Sequence, residues 1–203
     1  MSISKVRRRP RPGAAKPPRP TNAYALPLTV SRETLIEDGA DTRFRALVHD
    51  LLTISTRMEA VREHHGRRMG ISGPQYSLLI ALAHLQGVQG ASVGAVAQAL
   101  HVSSAFVASE TGKLARRGLV FKRVNPRDRR GVLLSLAPAG RLALDRASDE
   151  IRAINDLFFG TLDRKSFDAL CIAAAALVAG SRKALLYLAA VEDEAPAALG
   201  AAG

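Results

Sequence analysis

In the body of the chain, after residue 30, basic side chains are concentrated between residues 113 and 130. Lys113, Arg116 and Arg117 come first, and a second basic group follows in residues 125–130. Arginine and lysine form charge-assisted hydrogen bonds with phosphate oxygens, so clustered side chains of this kind bind polyanions. No pairing of nucleophile and base, glycine-rich phosphate loop or metal-ligand spacing accompanies them, and we therefore do not expect an enzyme.

Two short helices and two strands are predicted to position these residues. Ser92 and Ser103 are candidate N-caps of the two helices, and Gly118 is a C-terminal stop for the second, whose inward positions are Val107 and Leu114. Ser72 and Gln75 have capping-box spacing at the start of an earlier helix. Helices joined by about four residues cross steeply, which leaves the second free to project from the body. Apolar and β-branched residues then predict strands over 119–124 and 131–136, with residues 125–130 at the hairpin tip.

This order of elements resembles the winged helix-turn-helix, and more narrowly the multiple-antibiotic-resistance regulator (MarR) family of bacterial transcription factors. The residues that carry the resemblance are Leu100-His101-Val102-Ser103, Leu114 with Arg116-Arg117-Gly118-Leu119-Val120 and Arg123, Asn125-Pro126 with Asp128-Arg129-Arg130, and Leu136 with Gly140. With the flanking helices it covers roughly residues 40 to 190. It implies a mainly α (α+β) fold, in which a winged helix-turn-helix lobe adjoins a helical dimerisation domain built from the N- and C-terminal helices.

The rest of the chain is expected to supply that dimerisation domain and two tails. The predicted parts are a disordered basic, proline-rich tail at 1–30, a MarR-like domain at 31–190 and a disordered tail at 191–203. Within the domain, 41–66 and 138–190 are the dimerisation helices and 72–136 the winged helix-turn-helix. The long helices after the winged segment have apolar faces that must be buried, and the core of the winged lobe is too small to bury them. A second subunit would do so, which predicts a homodimer.

The second helix of the motif is expected to enter the major groove of double-stranded DNA, with its first turns at the base edges. The residues at those positions are Ser103, Ser104, Ala105, Phe106 and Ser109. Packing of Phe106 against the preceding helix is the alternative for that residue. Lys113, Arg116 and Arg117 are expected to contact phosphates, which fixes register without reading sequence.

The wing contributes Arg127, Asp128, Arg129 and Arg130 to the expected DNA-binding surface. The family pattern implies that Asp128 pairs with an arginine and holds the shape of the loop. Arg129 or Arg130 would then enter the minor groove, and the sequence leaves open which one does. A solvated run of charges is the alternative.

The resemblance also implies an effector pocket between the dimer helices and the winged lobe, and hence a small aromatic acid or acyl-CoA-like effector. The candidate lining residues are Met58, Arg62, His65, Tyr76, Leu79 and Ala83. Arg62 is suited to a carboxylate or phosphate. The alternative is that Met58, Tyr76 and Leu79 are plain core and Arg62 a surface charge. No cofactor is expected, and no metal either, because His64 and His65 have no companion ligands at suitable spacing.

Charge and cysteine content narrow the class of protein further. The net charge is +11, but residues 1–30 hold seven basic and no acidic residues, so the body is only mildly basic. DNA binding is therefore indicated by the position of the basic residues after residue 30, and not by the net charge. A single cysteine, Cys171, excludes an internal disulfide and suits a cytoplasmic protein, and its place on an apolar helix face predicts an inert core thiol. No uninterrupted run of about 18 apolar residues occurs, so no membrane span is expected.

These observations lead to one functional hypothesis and one alternative. The hypothesis is a homodimeric DNA-binding regulator, a repressor that a small effector releases from a pseudo-palindromic operator. The alternative is a nonspecific chromosome-coating protein, favoured by the basic tail and by the few hydrogen-bonding groups at the start of the second helix.

Overall fold

The computed structural model describes residues 26–126 and 128–194. The elements in chain order are a 3-10 helix (Glu33–Leu35), α1 (Thr42–Arg68), α2 (Gly73–Leu85), β1 (Ala91–Ser92), α3 (Val93–Leu100), α4 (Ser104–Arg116), β2 (Val120–Asn125), β3 (Asp128–Leu136), α5 (Pro138–Phe159) and α6 (Arg164–Glu194). The sequence prediction of a mainly α fold with a small wing is confirmed. The chain divides into two units, residues 1–54 and 55–203, and the boundary falls within α1.

The first unit has a polar anchor at Asp41, whose carboxylate is buried although most of its neighbours are exposed. Thr29 donates to Asp41 Oδ2 from its backbone nitrogen at 2.7 Å and from its hydroxyl at 2.6 Å. Arg45 pairs with Oδ1 at 2.6 Å and also donates to the Pro27 carbonyl. Thr29 is therefore held in place, which corrects the predicted disorder at this end of the 1–30 tail; residues 1–25 lie outside the described range.

The core of the second unit is formed where α2, α3, α4 and the sheet meet. Its fully buried side chains include Leu78, Leu79, Leu82, Val96, Val107, Leu114 and Leu134. The sheet is antiparallel in the order β1-β3-β2, with Ala91 opposite Leu134 and Val120 opposite Leu136. β1 was not predicted, because a two-residue strand shows no periodicity. β3 begins at Asp128, three residues before the predicted start, since it pairs with β2 almost to the hairpin tip.

The helix starts agree with the predicted caps. Ser72 and Gln75 form a complete capping box at α2, Ser92 accepts from Ala95 N, and Ser103 accepts from Phe106 N. At α5 the N-cap position is Ala137, which provides no side-chain hydrogen bond, and Pro138 occupies the first turn. Pro138 suits this position because its fixed φ fits a helix and its missing N–H would have had no helical partner.

The C-terminal helix α6 is exposed from Arg164 to Glu192 in this chain. The helix continues to Glu194, into the segment predicted as a tail, and residues 195–203 lie outside the described range. Residues Arg164–Glu192 have a mean hydropathy of 1.6 over their most apolar window, with 0% of it buried, so by length and composition alone this helix is able to span a membrane. The sequence expectation rested on uninterrupted apolar runs, which Arg182 and Lys183 break. Cys171 is also exposed, which corrects its assignment to the core.

Candidate nucleic-acid interface

One face of α4 is buried and the other is open to solvent. Val107, Glu110, Thr111 and Leu114 point inward at helical spacing. The predicted base-reading residues Ser103, Ser104, Ala105, Phe106 and Ser109 are all exposed. Phe106 is 37% exposed, so it does not pack fully against α3 as the alternative required. The structure therefore places these five residues together on the open side of the helix and its N-cap.

The turn between α3 and α4 is held by backbone hydrogen bonds around a left-handed residue. His101, the C-cap of α3, has φ 53 and ψ 41. Val102 N donates to Ala97 O at 3.0 Å, which satisfies a carbonyl at the helix end. Histidine tolerates this conformation better than a β-branched residue does. The turn allows Ser103 to start α4 at once, and it fixes the angle at which α4 leaves the body.

Two of the three predicted phosphate-binding side chains on α4 are engaged within the protein. The Lys113 ammonium donates to Glu110 Oε1 at 2.5 Å. The Arg117 guanidinium donates to the carbonyl of Gly70, in the turn between α1 and α2. Arg116 is exposed, and no intramolecular partner is described for it. Arg116 is therefore the cation of this group with most freedom to bind an external anion.

A cation that the sequence analysis did not select, Lys122 on β2, lies beside α4. Its ammonium is 3.5 Å from the Ala108 carbonyl. A Cβ at Gly112 would lie 4.0 Å from both the Lys122 ammonium and the Arg116 guanidinium, so this small residue leaves the two cations room at the helix surface. The packing of β2 beside α4, which brings Lys122 to Ala108, is a contact between residues fourteen positions apart, and no local motif in the sequence predicts it.

The loop of the wing is held by a contact between Asp128 and the backbone. Asp128 Oδ1 accepts from the backbone nitrogen of Arg130 at 3.0 Å, two residues further on. A Cβ at Gly131 would lie 3.3 Å from the Asp128 carbonyl oxygen, so the absence of a side chain there permits the tight loop. Asp128 thus braces the loop through a backbone amide. Arg127 and the side chain of Arg129 lie outside the described residues, and Arg130 is exposed.

The wing is also attached to the loop before β1. The Arg123 guanidinium donates to the Gln89 carbonyl, and Leu136 N donates to Gln86 Oε1 at 2.7 Å. Arg123 is therefore a structural arginine in this chain. The described basic side chains that remain along α4 and the wing are Arg116, Lys122 and Arg130.

The predicted effector-lining residues are only partly brought together. His65 is buried, and its ring centroid lies 5.2 Å from that of Tyr76. Neither His65 ring nitrogen has a hydrogen-bond partner among the described residues, and burial, with a smaller effect of His64, lowers the pKa of His65. Burial raises the pKa of Tyr76. The two rings form the centre of the predicted set.

The other four members of that set have different surroundings. Leu79 is fully buried in the core, whereas Met58 is 48% exposed. Arg62 donates to Glu59 Oε1 at 2.6 Å on its own helix, and this pairing reduces its availability to an anion. Ala83 lines a cleft of about 640 Å³ between α2 and α5, whose walls also include Leu144, Arg141 and Ile151. None of the other five predicted residues lines this cleft.

Helices α1 and α5 are linked beside His65 by a polar cluster. Glu150 accepts from His64 Nε2 at 2.9 Å and from Arg68 Nε at 3.3 Å. The hydrogen bonds from His64 and then Arg68 lower the pKa of Glu150. Among the described residues, no group of three or more histidine, cysteine, aspartate or glutamate side chains is arranged to hold a metal ion.

Comparison with known proteins points to one family. Residues 69–131, which run from the end of α1 through the wing, match the family model described as MarR family. No curated protein matches the chain.

Solved structures with the same fold cover about two thirds of this chain. A DNA complex of MepR from S. aureus has 16% identity and a TM-score of 0.58, covering 66% of this chain and 96% of its own. BpsR from Bordetella bronchiseptica, whose DNA binding is described as regulated by 6-hydroxynicotinic acid, has 23% identity and a TM-score of 0.55, covering 66% and 98%. A mutant MarR from E. coli complexed with operator DNA has 15% identity and a TM-score of 0.57, covering 66% and 95%. At these identities the similarity concerns the fold.

Proposed function

We propose that the chain is a transcriptional regulator of the MarR type that binds double-stranded DNA, because residues 69–131 match the model of that family. The observation that carries the proposal is the open face of α4, where Ser104, Ala105, Phe106 and Ser109 are exposed together next to the wing. An exposed helix of this kind fits the major groove, with its N-terminal turns at the base edges. Similar folds bind DNA in the MepR and MarR complexes, which supports this mode of binding.

In this proposal the phosphate contacts come from the basic side chains at the rim of that face. Arg116 at the end of α4 and Lys122 on β2 are exposed, and each has a terminal nitrogen 4.0 Å from where a Cβ at Gly112 would lie. Arg130 lies near the wing tip, where Arg127 and Arg129 add further positive charge. Contacts to phosphate position the protein, whereas the serine hydroxyls, Ala105 and Phe106 supply the few contacts that distinguish bases.

The active species in this proposal is a homodimer. Apolar side chains on α6 such as Leu170, Leu177 and Leu185 are exposed in the single chain, as are Leu142 and Leu157 on α5. Exposed apolar area on this scale is usually an interface. Two lobes related by two-fold symmetry would read two half-sites of a pseudo-palindromic operator. A second copy is thus the occupant that we assign to these helices, rather than a lipid bilayer.

The proposed regulator is a repressor that a small aromatic acid or acyl-CoA-like molecule releases from DNA. The rings of His65 and Tyr76, with Met58 and Arg62 on α1, remain the proposed effector contacts. BpsR, which responds to an aromatic acid, supports the effector class. Release requires only that the effector binds the DNA-incompetent arrangement of the lobes more tightly.

Fluorescence anisotropy tests the proposal. Purified protein is titrated onto its own upstream region and onto a scrambled duplex, at two salt concentrations, with and without a panel of aromatic acids and their coenzyme A thioesters. We expect a preference of about 10³-fold or more for the upstream region, relieved by one compound. Arg116→Met should weaken binding to both duplexes, and Arg164→Met, an exposed arginine at the start of α6, serves as the matched control.

Equal binding to both duplexes with a steep salt dependence would instead support the chromosome-coating alternative. Deletion of residues 1–25, which hold the seven basic residues and leave Thr29 bound to Asp41, separates the two in a second way. A coating protein would lose most of its affinity with seven basic residues removed, whereas an operator-binding regulator would keep its preference for the upstream region.

A further inference from the structure

Glu110 is a buried carboxylate on the inward face of the DNA-facing helix α4, where only 9% of the residue is exposed. Both of its oxygens are bound. Oε2 accepts from the Gln75 side-chain amide at 2.9 Å, and Oε1 accepts from the Lys113 ammonium at 2.5 Å. The hydrogen bond from Lys113, and then that from Gln75, lower the pKa of Glu110. At neutral pH Glu110 is therefore an anion whose two carboxylate oxygens are both hydrogen-bonded.

Gln75 connects this anion to the start of α2. Its Oε1 accepts from Ser72 N at 3.3 Å as part of the capping box, while its Nε2 donates to Glu110. The side-chain amide of Gln75 accepts from a backbone N–H with its oxygen and donates to a carboxylate with its nitrogen, which an ionised carboxylate at this position does not do. Glutamate, the other common residue at this capping-box position, would place two carboxylates against each other.

A second contact ties the far end of α4 to the same turn. Arg117, the C-cap of α4, donates to the carbonyl of Gly70, which lies between α1 and α2 with φ +66. The DNA-facing helix is thus attached to the α1–α2 turn at two points along its length. Each attachment uses a side chain with a second role in the sequence analysis. Gln75 belongs to the capping box of α2, and Arg117 is one of the predicted phosphate contacts.

The charge of Lys113 is neutralised within the protein. Its ammonium lies on the buried carboxylate, and its side chain is 50% exposed, against 12% for Glu110. Moving the ammonium to a phosphate would leave the Glu110 carboxylate buried without its cation, which is unfavourable. Arg116, three residues further along α4, has no comparable partner among the described residues.

We propose that Glu110 is a positioning residue of the DNA-binding surface, which attaches α4 to the start of α2 through Gln75 and withdraws Lys113 from the phosphate contacts. The inference rests on the proposed DNA-binding function and refines it. The number of phosphates that this surface contacts is then smaller than the number of its basic residues. The position and tilt of α4 depend on the turn that follows α1.

The salt dependence of DNA binding tests the inference. Log K falls as log salt concentration rises, and each phosphate neutralised by a side chain makes that slope steeper by about 0.9. The full-length wild type is compared with Lys113→Met, Glu110→Gln and the double variant on one duplex of its upstream region. We expect the slope of Lys113→Met to equal that of the wild type. Glu110→Gln should steepen the slope by about 0.9, since it frees Lys113, and the double variant should return to the wild-type value.

A decrease of about 0.9 in the slope of Lys113→Met would overturn the inference, as would an unchanged slope for Glu110→Gln. If circular dichroism shows that Glu110→Gln is unfolded, the Lys113→Met result alone decides. Arg116→Met is the positive control and should lower the slope. A wild type that shows no salt-dependent binding to any duplex would refute the proposed function itself. A wild type that binds DNA, but with Lys113 contributing to the slope, would refute only the inference.

Discussion

The amide of Gln75 donates to the carboxylate of Glu110 across 2.9 Å, which joins the first turn of α2 to the inward face of α4. The same amide closes the capping box of α2 with Ser72. One glutamine therefore serves both the local start of a helix and the position of its neighbour. Because both residues are buried, changes at either position have effects that a surface pair would not show.

Gln75→Glu should destabilise the protein although glutamate is equally suited to a capping box. The new carboxylate would face Glu110 in a buried site, with an expected loss of about 1–3 kcal/mol in the free energy of unfolding. The double variant Gln75→Glu/Glu110→Gln exchanges the two groups and restores a donor opposite an acceptor. Urea denaturation should show that the double variant recovers most of the loss. A double variant no more stable than Gln75→Glu would show that this bond does not hold α2 and α4 together.

Two glycines near the end of α4 should respond to alanine in opposite directions. Gly112 lies inside the helix, and its added Cβ would meet nothing closer than 4.0 Å, so Gly112→Ala should raise the free energy of unfolding by about 0.5–1 kcal/mol. Gly118 has φ +70, which alanine adopts only with strain, so Gly118→Ala should lower it by about 1 kcal/mol. Thermal and urea denaturation of the pair check both signs. Equal effects of the two substitutions would contradict this reading of the backbone.

Stability should fall as pH decreases below about 6.5 because of His65. Its pKa is lower in the folded protein than its usual value of 6.5, so the unfolded chain binds more protons in the window below that value. His65→Leu should remove this part of the pH dependence. It should also raise the free energy of unfolding at pH 7 by about 1 kcal/mol, because two buried nitrogens without partners are replaced by apolar surface.

His84 provides the matched control for that experiment, since it is an exposed histidine on α2. Urea denaturation at several pH values between 5 and 8 should give the same pH slope for His84→Gln and the wild type. A wild-type slope retained in His65→Leu would assign the pH dependence to another group.

Asp41 should hold residues 27–41 against α1 throughout the usual pH range. Hydrogen bonds from Arg45 and then Thr29 place the pKa of Asp41 well below its usual range. Its contribution is therefore complete above the unfolded-state pKa of about 3.9 and is lost only as pH falls below it. In hydrogen exchange, Asp41→Ala should give the Thr29 amide the rate of an unprotected amide, whereas Asp50→Ala, at an exposed position on α1, should not. Unchanged protection of Thr29 in Asp41→Ala would contradict the anchor.

The sequence predicts the features of this fold that depend on neighbouring residues. The capping serines at 72, 92 and 103, the hairpin after Gly118 and the inward stripe of α4 all follow from local spacing, and the structure agrees with them. The roles of the cations do not follow in the same way. Glu110 lies three residues before Lys113, a spacing that allows an ion pair on one helix, but only the fold shows that Glu110 is buried and also bound to Gln75. Only the fold likewise brings Lys122 to the Ala108 carbonyl.

The remaining differences have the same origin in long-range contacts. Leu79 repeats at helical spacing and suits a pocket wall as well as a core, until α3, α4 and the sheet close around it. Thr29 looks like part of a polar tail because its partner, Asp41, lies twelve residues away. Glu110 is a charged residue among the inward-facing positions of α4, and this is the local sign of an unusual contact.

Hydroxyl-radical footprinting of the upstream region tests the central claim, sequence-specific binding by two winged lobes, most directly. The account predicts two protected half-sites on the same face of the duplex, with centres about one helical turn or a multiple of it apart. It also predicts that Ser104→Ala/Ser109→Ala weakens protection of these sites more than that of flanking DNA. Uniform protection along the whole fragment, unchanged in that variant, would contradict the account.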